Sequence, residues 1–215
     1  PIAEETGLIL PLGRYVLEQA CRQVSSIRDR LHVDLPISVN LSPRQFQENG
    51  LPAQVAAALD ASGPASESLI LEITESQVMT NPEHSAYMLA ALKELGVGLA
   101  LDDFGTGYSS LSYLHRFPID MIKIPAPFVQ ISDESGLAHT QVPIIRSIVA
   151  LAAELGIAVV GEGVENLEEM DRLRELGCHL AQGFAFGGAM NGPELQKKLM
   201  AQSARGPAAV PALIK

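Results

Sequence analysis

Leu69-Ile70-Leu71-Glu72-Ile73-Thr74, then Asn81-Pro82, then Gly98-Leu99-Ala100-Leu101-Asp102-Asp103 is the stretch that decides the fold. A short apolar run bounded by polar residues suits a buried strand. Asn before Pro marks a helix start, since Asn caps free amides and Pro lacks the amide that the first helical turn would leave unpaired. The spacing predicts a helix from Asn81 to about Leu95, then a second strand over Gly98 to Asp102. Strand, helix, strand implies parallel strands joined by a right-handed crossover.

The same unit recurs on both sides. Upstream, Leu12, Val16, Ala20 and Val24 recur every fourth residue, with Leu17 and Cys21 beside them, and predict a helix with that face in the core. Pro36 to Leu41 alternates like a strand. Ser42-Pro43-Arg44-Gln45 reads as a capping box, and a helix follows over Pro52 to Ala61. Downstream, a short helix is expected near Ser109 to His115 and a strand over Met121 to Ile124. A helix over Thr140 to Leu155 and a strand over Ile157 to Gly161 come next. Asn166 opens a helix to Glu175, His179 to Gln182 is a short strand, and Pro193 to Ala201 is a last helix.

About six such units, with no G-x-G-x-x-G and no P-loop, favour a TIM-type (β/α) barrel over an open nucleotide-binding sheet. A full barrel has eight strands, so the expectation is an α/β barrel truncated at its N-terminus. The chain opens at Pro1-Ile2-Ala3-Glu4-Glu5 without an initiator Met, as a piece of a longer protein would. Residues 1–202 are read as one partial-barrel domain and 203–215, rich in Ala and Pro, as a disordered tail.

The 215 residues are 47% hydrophobic, 5% aromatic and without Trp, and their net charge is −10. Such a chain lacks stacking platforms and repels polyanions, which argues against a nucleic-acid polymer as partner. Cys21 and Cys178 form no C-x-x-C pair and read as reduced buried thiols, as in a cytoplasmic domain. No apolar run reaches membrane-spanning length, so any membrane link is expected through domains outside this chain.

Barrel active sites form where strands end. The residues there are Asn40, Glu72, Asp102-Asp103, Lys123, Glu162 and Gln182. Four carboxylates in one cup need a compensating cation. Oxygen donors, including the Asn40 carbonyl, select hard ions such as Mg²⁺ or Mn²⁺, and adjacent Asp102 and Asp103 suit two of them. Two metals clamp a phosphodiester for in-line attack, and Lys123 would hold the attacking hydroxide or steady the phosphorane. Each residue also has a structural reading. Asp103 opens a turn, Glu72 and Lys123 form an interior ion pair, Glu165 favours a helix N-terminus, and Gln182 serves backbone groups. Ser42, Asn81 and Asn166 are read as caps. Asp103-Phe104-Gly105 matches a kinase metal motif, but no Gly-rich loop precedes it and no catalytic Asp follows His115-Arg116.

Several motifs in order carry a resemblance. They are Ala3-Glu4-Glu5-Thr6-Gly7-Leu8-Ile9, Val39-Asn40-Leu41-Ser42 and Leu71-Glu72-Ile73-Thr74-Glu75-Ser76. They continue with Leu101 to Ser110 (LDDFGTGYSS), Ile122-Lys123-Ile124, Gly161-Glu162-Gly163-Val164-Glu165 and Gln182-Gly183-Phe184. With them the chain resembles the EAL domain, the bacterial cyclic-di-GMP phosphodiesterase family. The resemblance implies hydrolysis of cyclic-di-GMP to linear pGpG with two Mg²⁺ or Mn²⁺ ions, in a homodimer. It implies Asn40, Glu72, Asp102, Asp103 and Glu162 as metal ligands and Lys123 as the water-activating residue. Lys123, Glu162 and Asp103 would be catalytic. Gln182 and Glu165 would contact or support substrate, and Glu75 would anchor the loop from Asp103 to Ser110. Three departures stand against it. The strand with the namesake Glu-Ala-Leu is absent, Pro125-Ala126-Pro127 replaces a segment that usually starts with Asp, and Phe186-Gly187-Gly188-Ala189 lacks the usual polar residues and Pro. They leave a second expectation, a degenerate module that binds cyclic-di-GMP or a protein without cleaving it.

Overall fold

The computed structural model describes residues 2–63, 66–107, 111–130 and 138–203. Short α1 (Ile2–Glu5) precedes long α2 (Ile9–Leu31), β1 (Ile37–Asn40), α3 (Pro43–Phe46) and α4 (Leu51–Ser62). Then come β2 (Leu69–Thr74), α5 (Glu75–Thr80), α6 (Pro82–Lys93), β3 (Gly98–Asp102) and α7 (Leu111–Leu114). The chain continues through β4 (Met121–Ile124), α8 (Ala126–Val129), α9 (Ala138–Leu155), β5 (Ala158–Gly161), α10 (Leu167–Glu175), β6 (Leu180–Ala181) and α11 (Gly192–Ser203).

The strands form one six-stranded sheet in the order β1-β2-β3-β4-β5-β6, every neighbouring pair parallel. A doubly wound sheet reverses direction partway through its order, whereas a barrel advances one strand at a time. The order here never reverses, so these are consecutive strands of a TIM-type barrel. Among the described residues β1 and β6 are not paired with each other.

Alternation along each strand divides the sheet into two faces. Leu69, Leu71, Ile73, Leu99, Leu101, Ile122, Ile124 and Val159 join the main apolar core with helix residues such as Val55, Leu89 and Ile145. The intervening positions, Ile70, Ala100, Met121 and Val160, lie on the opposite, inner face. Two residues further along those same rows stand Glu72, Asp102, Lys123 and Glu162. Asn40 is in register with Glu72. Leu180 is in register with Val160, which carries Gln182 into line with Glu162. One phase of alternation therefore aims all six strand-end groups inward.

The predicted caps form. The Ser42 hydroxyl accepts from the Gln45 amide while the Gln45 side chain accepts from Ser42 N–H. The Asn81 and Asn166 side chains accept from the amides of His84 and Glu169. The long first helix differs from expectation. Leu17, Ala20, Cys21, Val24 and Ile27 are buried, but Leu12 and Val16 are 49% and 45% exposed. The helix packs on α1, β1, α3, α4 and α11; Leu17, Ala20, Cys21 and Val24 form its buried stripe, and a strict period of four drifts about 40° per step around a helix, which carries Leu12 and Val16 off that stripe. Three short helices, α1, α5 and α8, arise where no helix was expected. The expected tail lies outside the described residues from 204 onward, and α11 runs through Ser203. No helix among the described residues is long and apolar enough to cross a membrane.

Cys21 and Cys178 are free, buried thiols, 1% and 3% exposed. Burial pushes both thiol pKa values up, which suppresses the reactive thiolate. Neither thiol should react with a disulfide reagent in the folded protein at about pH 8. Both should react on unfolding in denaturant, and rapid labelling of the native protein would contradict the packing described.

Candidate active site

Lys123, in the middle of β4, is the centre of the strand-end group. Its ammonium lies 3.0 Å from Glu72 Oε2, 3.3 Å from Asp102 Oδ1 and 2.5 Å from Glu162 Oε1. The Lys123 and Glu72 side chains are each 1% exposed, while those of Asp102 and Glu162 are 11% and 17% exposed. An ammonium has three donors and no acceptor, and here three carboxylates from β2, β3 and the end of β5 surround it. The interior ion pair read for Glu72 and Lys123 exists, but as part of a larger cluster. Three carboxylates against one ammonium leave an excess of negative charge, and the cluster opens to solvent on its Asp102 and Glu162 side.

Asp103 follows immediately. Its φ is 55°, in the left-handed region that few residues other than Gly adopt. Asp102 Oδ1 accepts from Asp103 N–H at 3.1 Å, and Asp103 O accepts from Thr106 N–H and hydroxyl at 3.3 and 2.8 Å. Asp103 therefore opens a turn, as one sequence reading held, and the turn leaves it exposed at the rim beside Asp102. Phe104 N–H donates to Lys123 O at 3.1 Å and its ring is buried, which fixes the turn to β4. Glu75, 2% exposed at the start of α5, accepts from Gly105 N–H at 2.8 Å. It grips the beginning of the loop it was expected to anchor. Residues 108–110 of that loop lie outside the described residues.

On the far side, Glu162 N–H donates to Ile124 O at 2.9 Å, which extends the β4–β5 pairing one residue past β5. Gly163 turns the chain with φ 68°. Glu165 accepts from Gln130 Nε2 at 3.2 Å, while its N–H donates to Glu169 at 2.7 Å. Gln182 holds its loop through the backbone: its N–H donates to Gly161 O at 2.8 Å and its O accepts from Val164 N–H at 3.0 Å. A Cβ on Gly183 would run into the backbone of Val164, so the β5 and β6 loops meet with no side chain between them. Asn40 stands at the end of β1, exposed and in register with Glu72.

The structure thus brings Glu72, Asp102, Lys123 and Glu162 into direct contact and sets Asp103, Asn40 and Gln182 around them. Glu165 and Glu75 serve adjoining loops. Among the described residues, no three His, Cys, Asp or Glu side chains are gathered as ligands of one metal ion; the carboxylates converge on Lys123 instead. The donor set still suits a hard cation. It is made of carboxylate oxygens, carries excess negative charge, and opens at Asp102 and Glu162, next to Asp103. Thr106 and Gln130 were not singled out by sequence reasoning. Thr106 lies in a quoted motif, whereas nothing in the sequence marks Gln130, because its partners lie 33 and 35 residues away.

Removing one partner of a buried ion cluster leaves uncompensated charge. Lys123→Met should lower the unfolding free energy by roughly 3–5 kcal/mol in urea titrations. Adding Glu72→Leu to that variant should recover part of the loss. A loss in the single variant below about 1 kcal/mol would show that the carboxylates do not rely on Lys123.

Comparison with known proteins gives a consistent result. The EAL domain model matches residues 1–189. The Pseudomonas aeruginosa protein named bifunctional diguanylate cyclase/cyclic di-GMP phosphodiesterase MucR is 43% identical over 197 residues, 91% of this chain and 28% of that protein. Cyclic di-GMP phosphodiesterase NbdA of the same organism is 38% identical over 185 residues, 86% of this chain and 23% of that protein. The chain spans about a quarter of the length of these relatives. The solved structure described as PaMucR phosphodiesterase, c-di-GMP complex, superimposes with a TM-score of 0.85 at 42% identity, covering 91% of this chain and 78% of that one. By motif order, strand order and family match together, the chain belongs to the EAL domain family.

Proposed function

We propose that this domain hydrolyses cyclic-di-GMP to linear pGpG in the cytoplasm, using Mg²⁺ or Mn²⁺, in bacterial second-messenger signalling. The observation that carries the reading is the Lys123 cluster: strand-end carboxylates held at one point, open toward solvent on one side. The names of relatives at 43% and 38% identity support the substrate. In the reaction a water oxygen bonds to phosphorus and the bond from phosphorus to the 3′ oxygen breaks. The products are a 5′-phosphate and a 3′-hydroxyl, which takes up the proton that water loses.

Asn40, Glu72, Asp102, Asp103 and Glu162 would hold two cations, with adjacent Asp102 and Asp103 serving both. Bound there, the ions would supply Lewis acidity and lower the pKa of water. The chain's own residues do the rest. Lys123 has three carboxylate oxygens within 3.3 Å of its ammonium, so one of them must give way for it to hold a water or a phosphoryl oxygen. Asp102 and Glu162, the more exposed two, are the groups with freedom to turn. Glu75 fixes the loop after Asp103 through Gly105 N–H. Gln182 stands at the rim to orient substrate, and Glu165 supports the β5 turn. A homodimer coupled to that loop is part of the same proposal.

The altered segments Pro125-Ala126-Pro127 and Phe186-Gly187-Gly188-Ala189 favour a second reading, a receptor that binds the dinucleotide without cleavage. The full-length protein should convert cyclic-di-GMP to pGpG when Mg²⁺ or Mn²⁺ is present, followed by chromatography, and stop when the metal is chelated. Asp102→Ala should reduce turnover about 10³-fold, the equivalent of roughly 4 kcal/mol of barrier. No conversion with either metal, together with tight calorimetric binding in chelator, would replace the enzyme with the receptor.

A further inference from the structure

The segment after β4 and the turn after β5 are keyed together at three points. Ile124 O accepts from Glu162 N–H at 2.9 Å. Gly163 lies so close to Ala126 that a Cβ on it would collide with the Ala126 methyl. Gln130, which caps α8 by donating its N–H to Ala126 O at 2.8 Å, reaches across with its side chain. Its Nε2 donates to Gly163 O at 2.8 Å and to Glu165 Oε1 at 3.2 Å. Both partners are oxygens, so the amide must present its nitrogen, and its two N–H groups match the two acceptors.

Glu162 makes the shortest contact to Lys123 and is bonded directly to Gly163. Gly163 has wide backbone freedom, and a rotation of its peptide would swing the Glu162 carboxylate. The Ile124 contact fixes the near side of that turn. The Gly163 carbonyl on its far side is held by Gln130. We propose that Gln130 is a positioning residue that holds Glu162 in its productive orientation, an inference that rests on the hydrolytic reading above. It also locates the support for Glu162 on the segment where this chain departs from its family, just after Pro125-Ala126-Pro127.

The test uses the full-length protein with two variants. Gln130→Met keeps the length and removes the donor; Gln130→Lys keeps a donor for Gly163 O and Glu165. Gln130→Met should lower kcat about tenfold, leave KM for cyclic-di-GMP within about twofold, and leave the melting temperature unchanged, since small displacements of a reacting group cost rate more than binding. Gln130→Lys should restore kcat to within about threefold of the unsubstituted protein. Unchanged kcat in Gln130→Met, or equal losses in both variants, would overturn the proposal. Hydrogen exchange at residues 162–165 needs no turnover and reads the clamp directly. It should quicken in Gln130→Met alone, and unchanged exchange there would also overturn the proposal. An inactive parent protein would refute the hydrolytic reading, while the exchange result would still decide the role of Gln130.

Discussion

The Lys123 ammonium sits 1% exposed among carboxylates that arrive from three other parts of the sheet. Removing an ion from water costs several kcal/mol, and the cost is met only when opposite charges converge with good geometry. That convergence depends on register. A slip of one residue in β2 or β3 would turn Glu72 or Asp102 to the helix-covered face and bring a leucine inward. The parallel order, the pairing of Ile122 with Leu101 and of Lys123 with Val160, and the inward phase of every strand are thus bound to one buried charge. Hydrophobic packing alone would tolerate several registers of such leucine-rich strands; the ion cluster tolerates one.

Much of this fold was legible because its punctuation is strong. Strands β2, β3 and β4 fall where their apolar runs begin and end, since Ser68 and Glu75 bracket the first, Gly96 and Asp103 the second, and Asp120 and Pro125 the third. Asn81, Ser42 and Asn166 start helices because each supplies an oxygen to an unpaired amide. The weaker readings fail for physical reasons. Helix α5 begins at Glu75, directly after β2, with no loop to announce it. Its start is secured by Gln77, which accepts from Thr74 N–H and donates to Leu41 O, and that second partner lies just past β1, far off in sequence. Leu12 and Val16 share the four-residue spacing of buried Ala20 and Val24, yet with 3.6 residues per turn that spacing drifts around the helix, and the buried stripe runs through Leu17 and Cys21 instead.

The contact of Glu72, Asp102, Lys123 and Glu162 was legible in which strands contribute and less so in arrangement. Strand ends point to Asn40, Glu72, Asp102, Lys123, Glu162 and Gln182, because a parallel barrel must gather its C-terminal ends. That Lys123 is the hub, with Glu72 sealed and Asp102 and Glu162 left partly open, depends on depth within the cup, which sequence does not encode locally. The left-handed turn at Asp103 was signalled only by the glycines after it. Contacts such as those of Gln130 join loops more than 30 residues apart, and no local pattern records them.

The departure at Pro125-Ala126-Pro127 disturbs the strand-end cluster less than its sequence suggests. Pro125 sits at φ −71°, a value its ring already imposes, and it caps α8 without strain. The Pro127 carbonyl accepts from Gln141 Nε2 at 2.7 Å, which ties the segment to α9. Neither proline interrupts the bond from Glu162 N–H to Ile124 O, the last rung of the β4–β5 pairing. The prolines therefore stiffen the segment that follows β4 and leave no carboxylate at position 125, while the Lys123 cluster keeps its contacts.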